Sequence, residues 1–156
     1  MCGSSVSTHT KVVLVVFSIF IMYSCAPKKV SVYELPDNVR GAVVKTALEL
    51  SGRPYKSGGR GPYSFDCSGL VYYAYKKSGV LLPATADRLA KAGAEIPEAS
   101  VLPGDLVLFK IKGEFHVGIM INRSEFVHSS KSKGVGIDVL NERYWKKSFL
   151  NFRRVL

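Results

Sequence analysis

Hydrophobic positions first fall in one unbroken run. Residues 11–25 read KVVLVVFSIFIMYSC: one lysine, a stretch apolar on every side, then small Ser24 before Cys25. The run is shorter than the ~20 residues a membrane-spanning helix requires. A basic start, a short apolar core and a small residue at its end are the pattern of an export signal. Pro27, Lys28, Lys29 and Pro36 then interrupt the pattern, as a tether does. From Asn38 to Leu50 the positions Val39, Ala42, Val43, Thr46, Ala47 and Leu50 recur at helical spacing, with Asp37 or Asn38 to cap the start and Gly52 to end it. Residues 51–64 are rich in glycine and proline and predict a loop. A second helix is expected over Cys67–Ser78, capped by Ser64 or Asp66 and closed by Gly79, with Leu70, Val71, Ala74 and Tyr75 as its inner stripe. A shorter helix follows from Thr85 to Ala92.

After Pro103-Gly104-Asp105 the period changes to that of strands. Leu106–Phe109 is a continuous apolar run, Phe115–Ile121 and Val135–Val139 alternate, and Glu125–His128 lies between them. Turns at Lys112-Gly113 and Asn122–Ser124 are short enough to require antiparallel neighbours. Helices first and strands second is an α+β arrangement, N-terminal helices packed on an antiparallel sheet.

Strand parity puts Phe115, Val117, Ile119 and Ile121 on one face and His116, Gly118 and Met120 on the other. Gly118, beside His116, is expected to leave room for a ligand. A three-residue turn at Asn122–Ser124 opposes Ile121 to Glu125 and Gly118 to His128. His116 and His128 then become diagonal neighbours on one face, about 7–8 Å apart at Cα. A two-residue turn would put them on opposite faces.

Cysteine usage sharpens this picture. The chain has Cys2, Cys25 and Cys67. Cleavage before Cys25 removes Cys2 and leaves Cys25 at the mature N-terminus, where Met22-Tyr23-Ser24-Cys25 resembles the lipobox of bacterial lipoproteins, whose cysteine is acylated. Cys67 is then the remaining thiol. It is either a small buried hydrophobe, as most free cysteines are, or a reactive group. At the first position of a helix, free backbone N–H groups would favour the thiolate and lower its pKa. The formal charge is +10, and loss of residues 1–24 lowers it by one. That balance suits an anionic partner or a solvated basic surface; export argues against nucleic acid. Cysteine and histidines this far apart lack the close ligand pairs of zinc sites, so neither a metal nor a cofactor is expected. No G-x-S-x-G elbow and no phosphate-binding glycine loop is present.

Several motifs in register resemble the NlpC-type cell-wall cysteine peptidases. They are Gly52-Arg53-Pro54-Tyr55-Lys56-Ser57-Gly58-Gly59, Phe65-Asp66-Cys67-Ser68-Gly69-Leu70-Val71, Leu82-Pro83, Pro103-Gly104-Asp105-Leu106-Val107-Leu108-Phe109, His116-Val117-Gly118-Ile119 and Phe126-Val127-His128. The end, Asn141-Glu142-Arg143-Tyr144-Trp145-Lys146-Lys147, is most similar to the small lipoprotein murein endopeptidases of that family. The resemblance spans residues 38–156 and implies a minimal papain-like fold that hydrolyses peptidoglycan stem peptides. It implies Cys67 as nucleophile, His116 as base and His128 as the residue orienting it. Tyr55 is implied near the oxyanion, and Asp66 and Ser68 flank the nucleophile and shape the substrate site. The bond cut is a D-alanyl–diaminopimelate cross-link or a γ-D-glutamyl–diaminopimelate bond. After Leu82-Pro83 the family usually has arginine, then serine and glutamine, near the cleft; this chain has Ala84, Ala86 and Leu89.

The expected organisation is a signal peptide over 1–24, a lipidated Cys25 with its tether over 25–37, and the peptidase domain over 38–156. Its expected partners are peptidoglycan stem peptides and, through Cys25, a bacterial membrane, the outer membrane facing the periplasm. The sequence does not set the oligomeric state; a monomer is the expectation.

Overall fold

A computed structural model describes residues 33–156. The expected signal peptide over 1–24 and the expected lipid site at Cys25 lie outside the described residues. Among those described, no helix is long and apolar enough to cross a membrane.

Helix α1 (Val39–Glu49) begins where Asn38 accepts hydrogen bonds from the N–H groups of Arg40 and Gly41, which the first turn leaves without helical partners. Helix α2 (Cys67–Lys77) begins at Asp66, whose side chain accepts from Gly69 N–H. Helix α3 (Ala86–Leu89) is shorter than its pattern suggested, and Thr85 holds the cap position without a side-chain capping bond. Six expected elements, α1, α2 and the four strands over residues 106–139, stand close to where periodicity placed them. Strands β1 (Ala94–Ile96), β2 (Leu106–Ile111), β3 (Glu114–Met120), β4 (Glu125–Ser130), β5 (Gly134–Val139) and β6 (Phe149–Arg154) form one antiparallel sheet in the order β1-β6-β2-β3-β4-β5. Helix α4 (Arg143–Ser148) precedes β6. Strands β1 and β6 and helix α4 were not expected from the periodicity.

The two-residue turn between β2 and β3 places Lys112 and Gly113 at φ 51° and 89°, the pair of positive values that matches strand twist. The β3–β4 turn is fixed by Asn122, whose Oδ1 accepts from Ser124 N–H, Ser124 Oγ–H and Glu125 N–H. It has three residues, as expected, and Ile119 opposes Val127 while Met120 opposes Phe126.

Each sheet face has its own core. Leu106, Leu108, Val117, Ile119, Ile121 and Val127 pack against α1 and α2. Val107, Phe109, Met120, Phe126, Trp145 and Phe152 form the other layer, closed by α4. Asp105 ties the ends of the domain together. It is fully buried and accepts from Arg40, from Arg154 twice and from Leu102 N–H. Burial raises its pKa, and the bonds from Arg154, Leu102 and Arg40 outweigh that and hold the carboxyl below its ordinary value.

Candidate active site

Cys67 occupies the first position of α2 because the loop before it is locked to its neighbours. Tyr55 and Phe65 are bridged, Ser129 Oγ–H donates to Phe65 O at 2.8 Å, and Asp66 Oδ2 accepts from Gly58 N–H at 2.9 Å. The β3–β4 ladder registers at Ile119–Val127 and Met120–Phe126. The backbone N–H groups of Val117, Ser68 and Cys67 favour the thiolate form of Cys67.

Their pull does not prevail in the unliganded site. Burial pushes the Cys67 thiol above its ordinary value, the charge of Asp66 adds to that, and the three N–H groups only offset it. The lowered thiol pKa expected from a helix N-terminus is therefore corrected: partial charges at the helix end are local, whereas desolvation by the surrounding fold acts on the same sulfur and is larger.

Cys67 and His116 line one cleft together with Tyr55, Phe115, Ser129 and Trp145. His116 Nε2 and His128 Nδ1 lie 2.9 Å apart, the outcome that the three-residue turn predicts. His128 is buried and His116 half-buried. Burial, then the neighbouring His128, lowers the His116 pKa to about 3, and Asp138 opposes this only in part. Burial likewise lowers His128, against the attraction of Asp138. Both rings are neutral near pH 7.

Two residues at the site had no role in the sequence reading. Asp138 on β5 accepts from His128 Nε2 at 3.0 Å, from Trp145 Nε1–H at 3.1 Å and from Lys133 Nζ at 3.1 Å. Trp145 stacks on His116 at 5.6 Å between ring centroids with 26° between planes, and meets His128 edge-on at 4.8 Å. The signal for Asp138 was a lone carboxylate on the face opposite Val135, Ile137 and Val139 in an alternating strand. Its face follows only from the β4–β5 register, in which Phe126 opposes Asp138 and His128 opposes Gly136.

The remaining expected site residues divide. Tyr55 lines the cleft, and burial and the nearby Cys67 raise its pKa. Asp66 and Ser68 do not line it. Asp66 Oδ1 accepts from Ser68 Oγ–H at 3.0 Å and from Gly69 N–H at 2.6 Å, so the pair shapes the helix start from beneath. Gly118 does not leave a ligand space: a Cβ there would meet Phe126 Cδ2 at 2.6 Å, so the missing side chain admits that ring. Ala84, Ala86 and Leu89 also stand away from the cleft lining, and Leu89 is a buried core residue. Among the described residues, no group of three or more His, Cys, Asp or Glu side chains is arranged to hold a metal.

The fold and cleft define an α+β, papain-like domain that brings one thiol and two hydrogen-bonded imidazoles together. The model of the NlpC/P60 family matches residues 52–154, and the chain belongs to that family. It is 36% identical over 121 residues to the Escherichia coli K12 protein named murein DD-endopeptidase MepS/murein LD-carboxypeptidase, covering 76% of this chain and 64% of that one. It is 37% identical over 118 residues to the Bacillus subtilis bifunctional muramidase/DL-endopeptidase CwlT, covering 72% and 36%. The chain thus spans less than two thirds of the length of these curated relatives. Among solved structures, a Staphylococcus aureus protein described as similar to lipoprotein, NLP/P60 family, superposes with a TM-score of 0.70 at 33% identity, covering 83% of this chain and 45% of that one.

Proposed function

We propose that this protein is an exported, lipid-anchored peptidoglycan endopeptidase acting through Cys67, His116 and His128. One observation carries the reading: Cys67 shares a cleft with His116, whose Nε2 is 2.9 Å from His128 Nδ1. A nucleophile, a base and a group that orients the base are the parts covalent acyl transfer requires.

The chemistry starts from an uncharged pair, since burial disfavours charge on both the Cys67 thiol and the His116 ring. His116 takes the thiol proton as the sulfur attacks the amide carbonyl. The N–H groups of Val117 and Ser68 stabilise the sulfur as its charge develops. The oxyanion is held by Cys67 N–H and the Tyr55 hydroxyl, each donor contributing about 3 kcal/mol. His116 then protonates the leaving amine, and water hydrolyses the thioester. Asp66 and Ser68 serve this site by holding the start of α2.

The substrate is a peptidoglycan stem peptide or cross-link, in keeping with relatives named murein endopeptidases. The D-alanyl–diaminopimelate cross-link is favoured, because residues 141–147 resemble the small lipoprotein murein endopeptidases and relatives of this chain are named murein DD-endopeptidases. Residues 1–24 direct export and Cys25 carries the lipid, which places the domain at the periplasmic face of the outer membrane. The test is digestion of purified sacculi by the full-length protein, with released muropeptides read by mass spectrometry. Wild type should release fragments and Cys67→Ala none; equal release by both would refute the reading. Mass spectrometry of the membrane-extracted chain should find acyl groups on an N-terminal Cys25, and an unmodified N-terminus would remove the anchor.

A further inference from the structure

Asp138 is engaged from three sides. His128 approaches from β4, Trp145 from α4, and Lys133 from the turn between β4 and β5. Its side chain is 11% exposed, while that of Lys133 is 66% exposed, with the charge of Glu142 nearby. His116, His128, Lys133 and Glu142 are therefore the titratable groups around it. Burial raises the carboxyl, and Lys133 and His128 outweigh that and keep it ionised.

An ionised carboxylate has only acceptors. Because His128 Nε2 lies 3.0 Å from Asp138 Oδ2, that nitrogen must carry the proton. A neutral imidazole has one N–H, so His128 Nδ1 has only a lone pair and accepts from His116 Nε2–H at 2.9 Å. His116 in turn has one proton, on Nε2, and Nδ1 is its single basic atom. We propose that Asp138 is a positioning residue that sets the tautomers of both histidines, so that His116 presents Nδ1 as the base for the Cys67 thiol.

Without the carboxylate, His128 can hold its proton on Nδ1 and donate it to His116 Nε2. His116 then carries its proton on Nδ1 and has no basic atom for the thiol, which is the wrong-tautomer failure of a catalytic histidine. Trp145 Nε1–H and Lys133 Nζ hold the two carboxylate oxygens in orientation, and the Trp145 ring stacked on His116 keeps that ring in plane. When Cys67 attacks, one proton passes from Sγ to His116 Nδ1. The resulting cation is hydrogen-bonded through His128 to Asp138, and no proton moves further.

This inference rests on the Cys67–His116–His128 reading and is tested separately from it. Nitrogen-15 spectra of histidine-labelled full-length wild type near pH 7 should show His116 and His128 both protonated at Nε2. A proton on Nδ1 of either would overturn the proposal, and no variant has to fold for that result. In kinetics on isolated muropeptides, Asp138→Asn should lower kcat roughly 10- to 100-fold, the range typical of outer groups that orient a working histidine. KM should be unchanged, and Asp138→Glu should recover part of the loss. An unaltered kcat in Asp138→Asn, or losses that follow only the thermal midpoints of the Asn and Glu variants, would overturn it. If wild type and Cys67→Ala are equally inactive, the enzymatic reading fails while the spectra still decide the tautomers.

Discussion

His116 should make this protein lose stability in mild acid, by an amount that can be worked out. In the unfolded chain its imidazole takes a proton near pH 6.5. In the folded protein, burial and the adjacent His128 lower that pKa to about 3. Between these values the unfolded state binds one more proton than the folded state, so stability rises with pH and falls as pH falls. The limiting slope is about 1.4 kcal/mol per pH unit for this one group, levelling off below the folded value. At pH 5 the loss relative to pH 7.5 is about 2 kcal/mol. That figure is set by the unfolded pKa, since the folded value lies well below pH 5. The perturbation is His116→Gln, whose amide can still donate to His128 Nδ1 but does not titrate. Urea unfolding of both proteins at pH 7.5, 6.0 and 5.0 gives the comparison, with equal m values required. The wild type should lose about 2 kcal/mol more than the variant on going to pH 5. His128, present in both, cancels to first order. A difference between the two proteins that stays constant across the series would show that folded His116 titrates like a free histidine, and the neutral, buried base would be refuted.

Two further predictions concern the thiol and the domain clamp. Alkylation of Cys67 by iodoacetamide, followed by peptide mapping, should accelerate as pH rises through and beyond the ordinary thiol range, because burial raises that thiol; a fast, pH-independent rate below pH 7 would instead demonstrate a standing thiolate–imidazolium pair. Asp105→Asn should cost about 3 kcal/mol in urea unfolding, the lower end for breaking a buried ion pair, since Arg40 and Arg154 retain side-chain exposures of 16% and 28% and can turn to water. A loss under 1 kcal/mol would mean that the arginines find other partners.

The grouping of Cys67, His116 and His128 was legible because each position is decided by a short stretch of chain. Asp66 caps α2 at Cys67, and a three-residue turn built on Asn122 brings His116 and His128 to one face. Such features follow from φ/ψ preferences and a period of two, which neighbours in sequence determine. Strand β6 was not legible. Its residues FLNFRR do not alternate, and it becomes a strand by entering between β1 and β2, with a register shift at Leu108/Phe109. Pairing partners so distant in sequence leave no local mark.

What the amino-acid sequence determined by itself was the positions of α1, α2 and β2–β5, the strand parity, and the placing of Cys67 at a helix start with His116 and His128 on one strand face. The tertiary structure decided their electrostatics and their support. Helix position alone argues for a stabilised thiolate at Cys67, but enclosure raises its pKa. Gly118 alone argues for an opening, but the Phe126 ring from the adjacent strand fills it. Asp138 and Trp145 acquire partners only when β5 and α4 close over His128. The physical reason is common to all three. Desolvation, packing and long-range hydrogen bonds depend on which surfaces meet, and that is set by the assembled sheet and helices rather than by any segment alone.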